Sequence, residues 1–281
     1  METREYKKFI LPMAKEYKKP LSLHQEDLCS TPPHGYQAAD INFLYGLWAK
    51  ENSAYFFDII DFLDAVYLRD QKRIEKYKNE IKNKAKIVTS DLILHTNFAQ
   101  NRATLYWVEF FTMLKDIWKS SKIKERRIVM PISLAFGKIQ HCAVACFSFV
   151  PSKKSVEIIL LEQHAQKKGT PNYEADVDYT KGVQLHAKIW ADIMQKNIGI
   201  EHVNTFVNNQ PICRRHNVCG VVASELARQL LMTENPMKWA TSGIIITSEE
   251  VTQLHARNQL FEASYCKIKG SYFAGSAGVK K

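Results

Sequence analysis

No stretch of this 281-residue chain stays apolar for the roughly 20 residues a helix needs to cross a bilayer, so no transmembrane segment is expected. The N-terminus, Met1-Glu2-Thr3-Arg4-Glu5-Tyr6-Lys7-Lys8, mixes charges of both signs and lacks the apolar core of a secretory signal. The six cysteines (Cys29, Cys142, Cys146, Cys213, Cys219 and Cys266) follow no repeated disulfide spacing, which argues against a stapled scaffold and for a reducing compartment. There is no P-loop, no RNP-like box and no basic zipper. Sequence-specific reading of nucleic acid is left with charge alone in its favour. Internal repeats and low-complexity blocks are also absent. The expectation is a soluble, cytoplasm-compatible protein, with export to a host cytoplasm by a route without a cleaved signal left open.

What the chain has is ordinary globular material, 46% hydrophobic and 24% charged, enough for a sizeable core. Acidic residues are the scarcer sign: 29 against 39 basic, a net charge of +10. That imbalance suits an acidic partner, whether a protein surface, an anionic lipid or a polyphosphate.

Residues 1–37 are polar and basic, end in Ser30-Thr31-Pro32-Pro33-His34-Gly35, and read as a flexible arm. Residues 38–122 form a helical region that packs on the core or binds substrate. Phe56, Phe57, Ile60, Phe62, Leu63, Val66 and Tyr67 make its apolar stripe, residues 72–82 continue as a basic amphipathic segment, and residues 102–122 repeat the pattern. A solvated face is the simpler account of the basic segment, with a docking surface for an acidic partner as the alternative. His95 is a lone histidine in this region.

The character changes at Arg127, and residues 123–268 read as one α+β core. Strands are expected at 128–134, 141–150, 155–161, 201–207 and 244–247. Helices are expected at 182–197 (closed by Gly199), from 220 to 231, and at 248–261. Residues 269–281 read as a loose tail.

Cys219 lies where the 220–231 helix begins. The positive end of a helix dipole lowers a thiol's pKa there, and Gly220 is expected to leave room for a substrate carbonyl beside the sulfur. His141, at the mouth of an otherwise apolar strand, is placed to act as base. Glu162 ends the next strand, where a carboxylate can orient an imidazole. Gln210 follows the fourth strand and offers a side-chain amide to an oxyanion.

The order of these pieces resembles the ubiquitin-like-protein cysteine protease clan, which includes SUMO proteases, adenovirus-type proteases and bacterial effector deubiquitinases. The matching residues are Ile128-Val129-Met130-Pro131-Ile132, His141-Cys142-Ala143-Val144, Ile158-Ile159-Leu160-Leu161-Glu162 and Asn217-Val218-Cys219-Gly220-Val221-Val222. The resemblance implies a papain-like core with the nucleophile at the N-terminus of a central helix. It implies cleavage after the C-terminal tail of ubiquitin or a ubiquitin-like protein, by Cys219, His141 and Glu162 with Gln210 as oxyanion donor and no cofactor. The chain departs from the clan in three places. Cys142 stands where a tryptophan commonly follows the histidine, the acid is a glutamate, and Gln210 lies far from the cysteine. Cys213 is nearer the common spacing, with Asn208 and Asn209 as substitute donors.

The glutamate is also similar to the acetyltransferase branch of that fold, the YopJ-like effectors. That branch would bring acetyl-CoA as donor, inositol hexakisphosphate as activator, and a host serine, threonine or lysine as acceptor. Competing readings of single residues remain. His164 is an alternative base, and Gln163, Asp176 and Asp178 compete with Glu162. Cys213, His216 and Cys219 are spaced as Cys-x2-His-x2-Cys and could begin a zinc site with Cys266, although a paired knuckle is missing. A non-enzymatic module binding through residues 52–86 is the remaining class.

Overall fold

The computed structural model describes residues 36, 38–87, 92–95, 104–119, 126–136, 139–150, 153–165, 179–215 and 217–269. Apart from Tyr36, the expected arm 1–37 lies outside them, as does the tail beyond Lys269.

A six-stranded sheet in simple sequence order, β1 to β6, forms the middle layer. Its centre is an antiparallel meander. Strand β3 (Arg126–Phe136) turns back into β4 (Ile139–Val150), with Arg126 opposite Phe149 and Leu134 opposite His141. Strand β4 turns again into β5 (Ser155–Leu161), with Val144 opposite Leu161. The outer strands join in parallel: β1 (Tyr55–Asp58) on β2 (Leu92–His95) on β3, and β6 (His202–Val207) on β5. The sheet is therefore mixed.

The alternation in β4 decides which helices cover which face. Cys142, Val144 and Cys146, with Ile159 and Leu161 of β5, meet helices α1 (Ala38–Glu51), α6 (Cys219–Met232), α7 (Pro236–Thr241) and α8 (Ser248–Lys269). Ala143, Ala145 and Phe147, with Ile158 and Leu160, meet α2 (Ile59–Tyr67), α3 (Gln71–Ile87), α4 (Thr104–Lys119) and α5 (Tyr179–Asp192). Both faces are apolar because both are covered. Helix α5 runs on as a π-helical turn, Ile193–Asn197, and the chain turns off at Gly199 in the left-handed region (φ 71°), as the glycine there predicted.

Three expectations change. Phe56 and Phe57 belong to strand β1 rather than to a helical stripe, because Leu92–His95 offers them a parallel partner. The region 38–122 thus supplies two strands of the sheet, and α1 contributes to the main core. Residues 244–247 form no strand; Ile246 N–H donates instead to the Ile212 carbonyl at 2.7 Å. The last helix runs to Lys269, beyond the expected Phe261. Among the described residues no helix is long and apolar enough to cross a membrane.

Helix α6 is the pivot. The expected apolar stripe of Val222, Leu226 and Leu230 is buried, but so are Ser224, Glu225 and Arg228 on its other sides. Burying charge is costly unless it is paired and hydrogen-bonded. Arg228 makes a two-point bond to Glu51 of α1 (2.9 and 3.0 Å). Glu225 takes Arg257 of α8 at 2.9 Å and Gln229 at 2.7 Å. Both guanidinium groups also face the Trp48 ring, 5.5 and 5.1 Å from its centre, and Trp48 donates to Ser224 Oγ at 3.2 Å. Helix α6 is thereby fixed on all sides, with its N-terminus beside His141 and Cys142 of the central strand β4.

Candidate active site

The turn into α6 sets the cysteine. Asn217 adopts a left-handed backbone (φ 61°), a conformation asparagine tolerates better than most residues. Val218 drops into the core at 4% exposure, and Cys219 becomes the first residue of the helix, partly exposed.

His141 and Glu162 come from adjacent antiparallel strands. His141 Nε2 lies 2.5 Å from Glu162 Oε1, with the two side chains 5% and 0% exposed. The same carboxylate oxygen accepts the His164 backbone N–H at 2.7 Å. His141 also hydrogen-bonds the Cys219 thiol. With Nε2 committed to Glu162, Nδ1 is the nitrogen left to exchange a proton with sulfur. The structure thus brings Cys219, His141 and Glu162 together in the order thiol, imidazole, carboxylate.

The electrostatics follow from this contact. Burial on its own would lower the pKa of His141, but the hydrogen bonds and negative charges of Cys219 and Glu162 outweigh it and push the imidazole up to about 9. Burial would raise the Cys219 thiol. The His141 hydrogen bond and charge, with the backbone N–H groups of Cys142 and Gly220, instead bring it below the ordinary thiol value. Both shifts run in the direction that favours a thiolate beside an imidazolium.

This fixes a pH dependence. Because the folded pKa of His141 lies above its ordinary 6.5, its stabilising contribution is complete below 6.5 and is lost as the pH rises through about 9. Proton donation by the imidazolium should disappear over the same upper limb. Alkylation of Cys219 by iodoacetamide, located by mass spectrometry, should stay fast at pH 6, where a thiol of pKa about 8.5 is almost wholly protonated. A Cys219 profile like that of a free thiol would contradict the ion pair.

The other sequence candidates fall in different places. Gln210 sits on the loop after β6 with its side chain exposed, and its carbonyl accepts Asn208 Nδ2 at 2.9 Å. Asn208, a substitute oxyanion donor on sequence grounds, has both side-chain N–H groups on carbonyls, Glu162 at 2.8 Å and Gln210 at 2.9 Å. Asn209 is exposed. Cys213 is buried at 2%, and its N–H goes to the Gln163 carbonyl. The His164 ring lies tilted beside that of His141, centres 5.7 Å apart, and its backbone N–H donates to the acid. Gln163 is buried at 1%, and its amide donates to the Arg215 carbonyl, bracing the loop towards Cys219. Asp176, Asp178 and His216 lie outside the described residues, and the Cys266 side chain is likewise not described. Among the described residues no group of three His, Cys, Asp or Glu side chains is placed to hold a metal ion.

Gly220 has a different role from the one expected. A Cβ there would meet Tyr36 Cβ at 2.6 Å. The space beside the helix head is therefore filled by Tyr36, whose hydroxyl is 2.7 Å from His255 Nδ1 and accepts Asn258 Nδ2 at 3.2 Å. Burial, then the Arg215 charge, lowers His255 to about 4, so the ring is neutral and Nδ1 can accept the phenol proton. Sequence reasoning placed Tyr36 in the arm, because nothing local signals a contact with α8.

No protein-family model matches the chain, and no curated protein matches it. Several solved structures are similar. The SUMO protease Ulp1, with its catalytic cysteine oxidised to a sulfinic acid, is 9% identical over 94% of this chain and 97% of its own, with a TM-score of 0.38. The ASFV pS273R protease is 12% identical over 86% of this chain and 71% of its own, at 0.40. The Legionella pneumophila effector RavZ is 10% identical over 58% of this chain, at 0.37; the chain spans about half (48%) of the RavZ chain it matches. The fold class is α+β, a mixed sheet covered on both faces with a cysteine heading the helix packed on its central strands.

Proposed function

We propose that the chain is a cysteine peptidase that cleaves after the C-terminal tail of ubiquitin or a ubiquitin-like protein. One observation carries the chemistry: a buried glutamate holds a histidine 2.5 Å away, and that histidine hydrogen-bonds a cysteine at a helix head. The substrate class rests on the residue resemblance described above.

In the proposed reaction the Cys219 thiolate attacks the carbonyl carbon of the scissile bond and forms a C–S bond. The oxyanion is received by the Cys219 backbone N–H, with the Gln210 side chain turning in from its loop. His141 Nδ1–H gives its proton to the leaving amine as the C–N bond breaks, leaving a thioester. Water then attacks the thioester, His141 takes its proton, and the thiolate leaves, releasing the carboxylate. Glu162 keeps the ring oriented and stabilises its charged form throughout.

The test is a panel of ubiquitin, SUMO, NEDD8 and LC3B probes bearing a C-terminal electrophile, applied to wild type and Cys219→Ala. An adduct with one probe, absent from Cys219→Ala, is the expected outcome and names the modifier. Labelled acetyl-CoA with and without inositol hexakisphosphate is run beside it. Acetyl transfer without any adduct would replace the peptidase reading by the acetyltransferase one.

A further inference from the structure

Strand β6 ends at Val207, opposite Leu160 of β5, yet the contact between the two segments continues. Asn208 N–H donates to the Leu160 carbonyl at 3.3 Å. Its side chain then takes over: Oδ1 accepts the Glu162 N–H at 2.8 Å, and Nδ2 donates to the Glu162 carbonyl at 2.8 Å and the Gln210 carbonyl at 2.9 Å. Only asparagine's mix of one acceptor and two donors at this length satisfies all three, and swapping O and N would set donor against donor and oxygen against oxygen. The residue is 7% exposed.

Glu162 has already left the regular strand, so the sheet alone does not hold its peptide groups. Its carboxylate must nonetheless place Oε1 within reach of both His141 Nε2 and His164 N–H. Functional groups need placement to within about 0.5 Å, and an acid on an untethered strand end would not meet that. We infer that Asn208 is a positioning residue for the acid: it clamps the Glu162 backbone and ties the Gln210 loop to it, keeping the His141–Cys219 ion pair formed. The inference rests on the peptidase reading for its purpose, but its own readout is the ionisation of Cys219 and requires no acyl substrate. Asn208 touches none of the reacting atoms in this arrangement and acts through Glu162.

The experiment uses the full chain as wild type, Asn208→Ala and the isosteric Asn208→Asp. The rate of Cys219 alkylation by iodoacetamide is measured from pH 5 to 10, with thermal unfolding followed in parallel. In the wild type the thiolate limb should lie below that of a free thiol. In Asn208→Ala it should move up by about one pH unit, so alkylation at pH 6 falls about tenfold. Asn208→Asp keeps the volume and the acceptor, but it sets oxygen against the carbonyls of Glu162 and Gln210, so it should move the limb at least as far. If Asn208→Ala does not fold, Asn208→Asp decides alone. A lower unfolding midpoint with the limb unmoved would mean a merely structural residue and would overturn the inference. A wild type lacking the low limb would instead overturn the ion pair, the peptidase reading with it, and the role given to Asn208.

Discussion

His141→Ala is expected to lower turnover by about two to four orders of magnitude, the usual contribution of a positioned general acid–base, and to abolish the fast alkylation of Cys219 at pH 6. Two effects combine. The thiol loses the partner that brings its pKa down, while the burial that opposes ionisation remains. The leaving amine also loses its proton donor. Glu162→Gln should cost less, because the amide oxygen can still accept from His141 Nε2 while the charge stabilising the imidazolium is gone. Turnover is read with a fluorogenic C-terminal amide of whichever modifier labels Cys219. Undiminished turnover in His141→Ala would remove this histidine from the mechanism.

The second large effect is on stability. Arg228→Ala should destabilise the fold by about 3–5 kcal/mol, the cost of breaking a buried ion pair from one side. Arg228 is 7% exposed, and its loss removes the two-point bond to Glu51 and withdraws one of the two guanidinium groups near Glu225. The double variant Arg228→Leu/Glu51→Leu should recover much of the loss, since replacing both partners of a buried pair by apolar groups is often close to neutral. Urea unfolding monitored by tryptophan fluorescence measures both. An Arg228→Ala midpoint equal to wild type would show that α6 does not depend on this pair.

Patterns with a short period were legible in the chain. The period-two alternation of Ala143, Ala145 and Phe147 against Cys142, Val144 and Cys146 assigns residues to the two faces of the sheet as found. Strand β5 begins and ends where its turn and its apolar run place it. The aromatic segment around Phe56 and Phe57 was not legible as a strand, because a four-residue strand lacks enough length to show its period and its partner is 37 residues away in the pairing of Tyr55 with Leu92.

The candidate site divides in the same way. Cys219 at a helix head and Glu162 at a strand end are fixed by local pattern, whereas the strand expected to open at His141 begins two residues earlier, at Ile139; the residue types indicate thiol, base and acid. Their meeting is a property of the sheet, since the β4–β5 register decides whether Glu162 reaches His141. What the sequence determined by itself was therefore the elements, their buried faces and the chemical types at their ends. The tertiary structure alone decided that Gly220 makes room for Tyr36, that the Asn208 side chain bonds the Glu162 backbone, and that α6 is buried on its charged side too. The physical reason is distance along the chain. Backbone propensity and hydrophobic period act over a few residues, whereas Tyr36 and His255 are 219 residues apart and Arg228 and Glu51 are 177; only packing brings such pairs within the reach of a hydrogen bond.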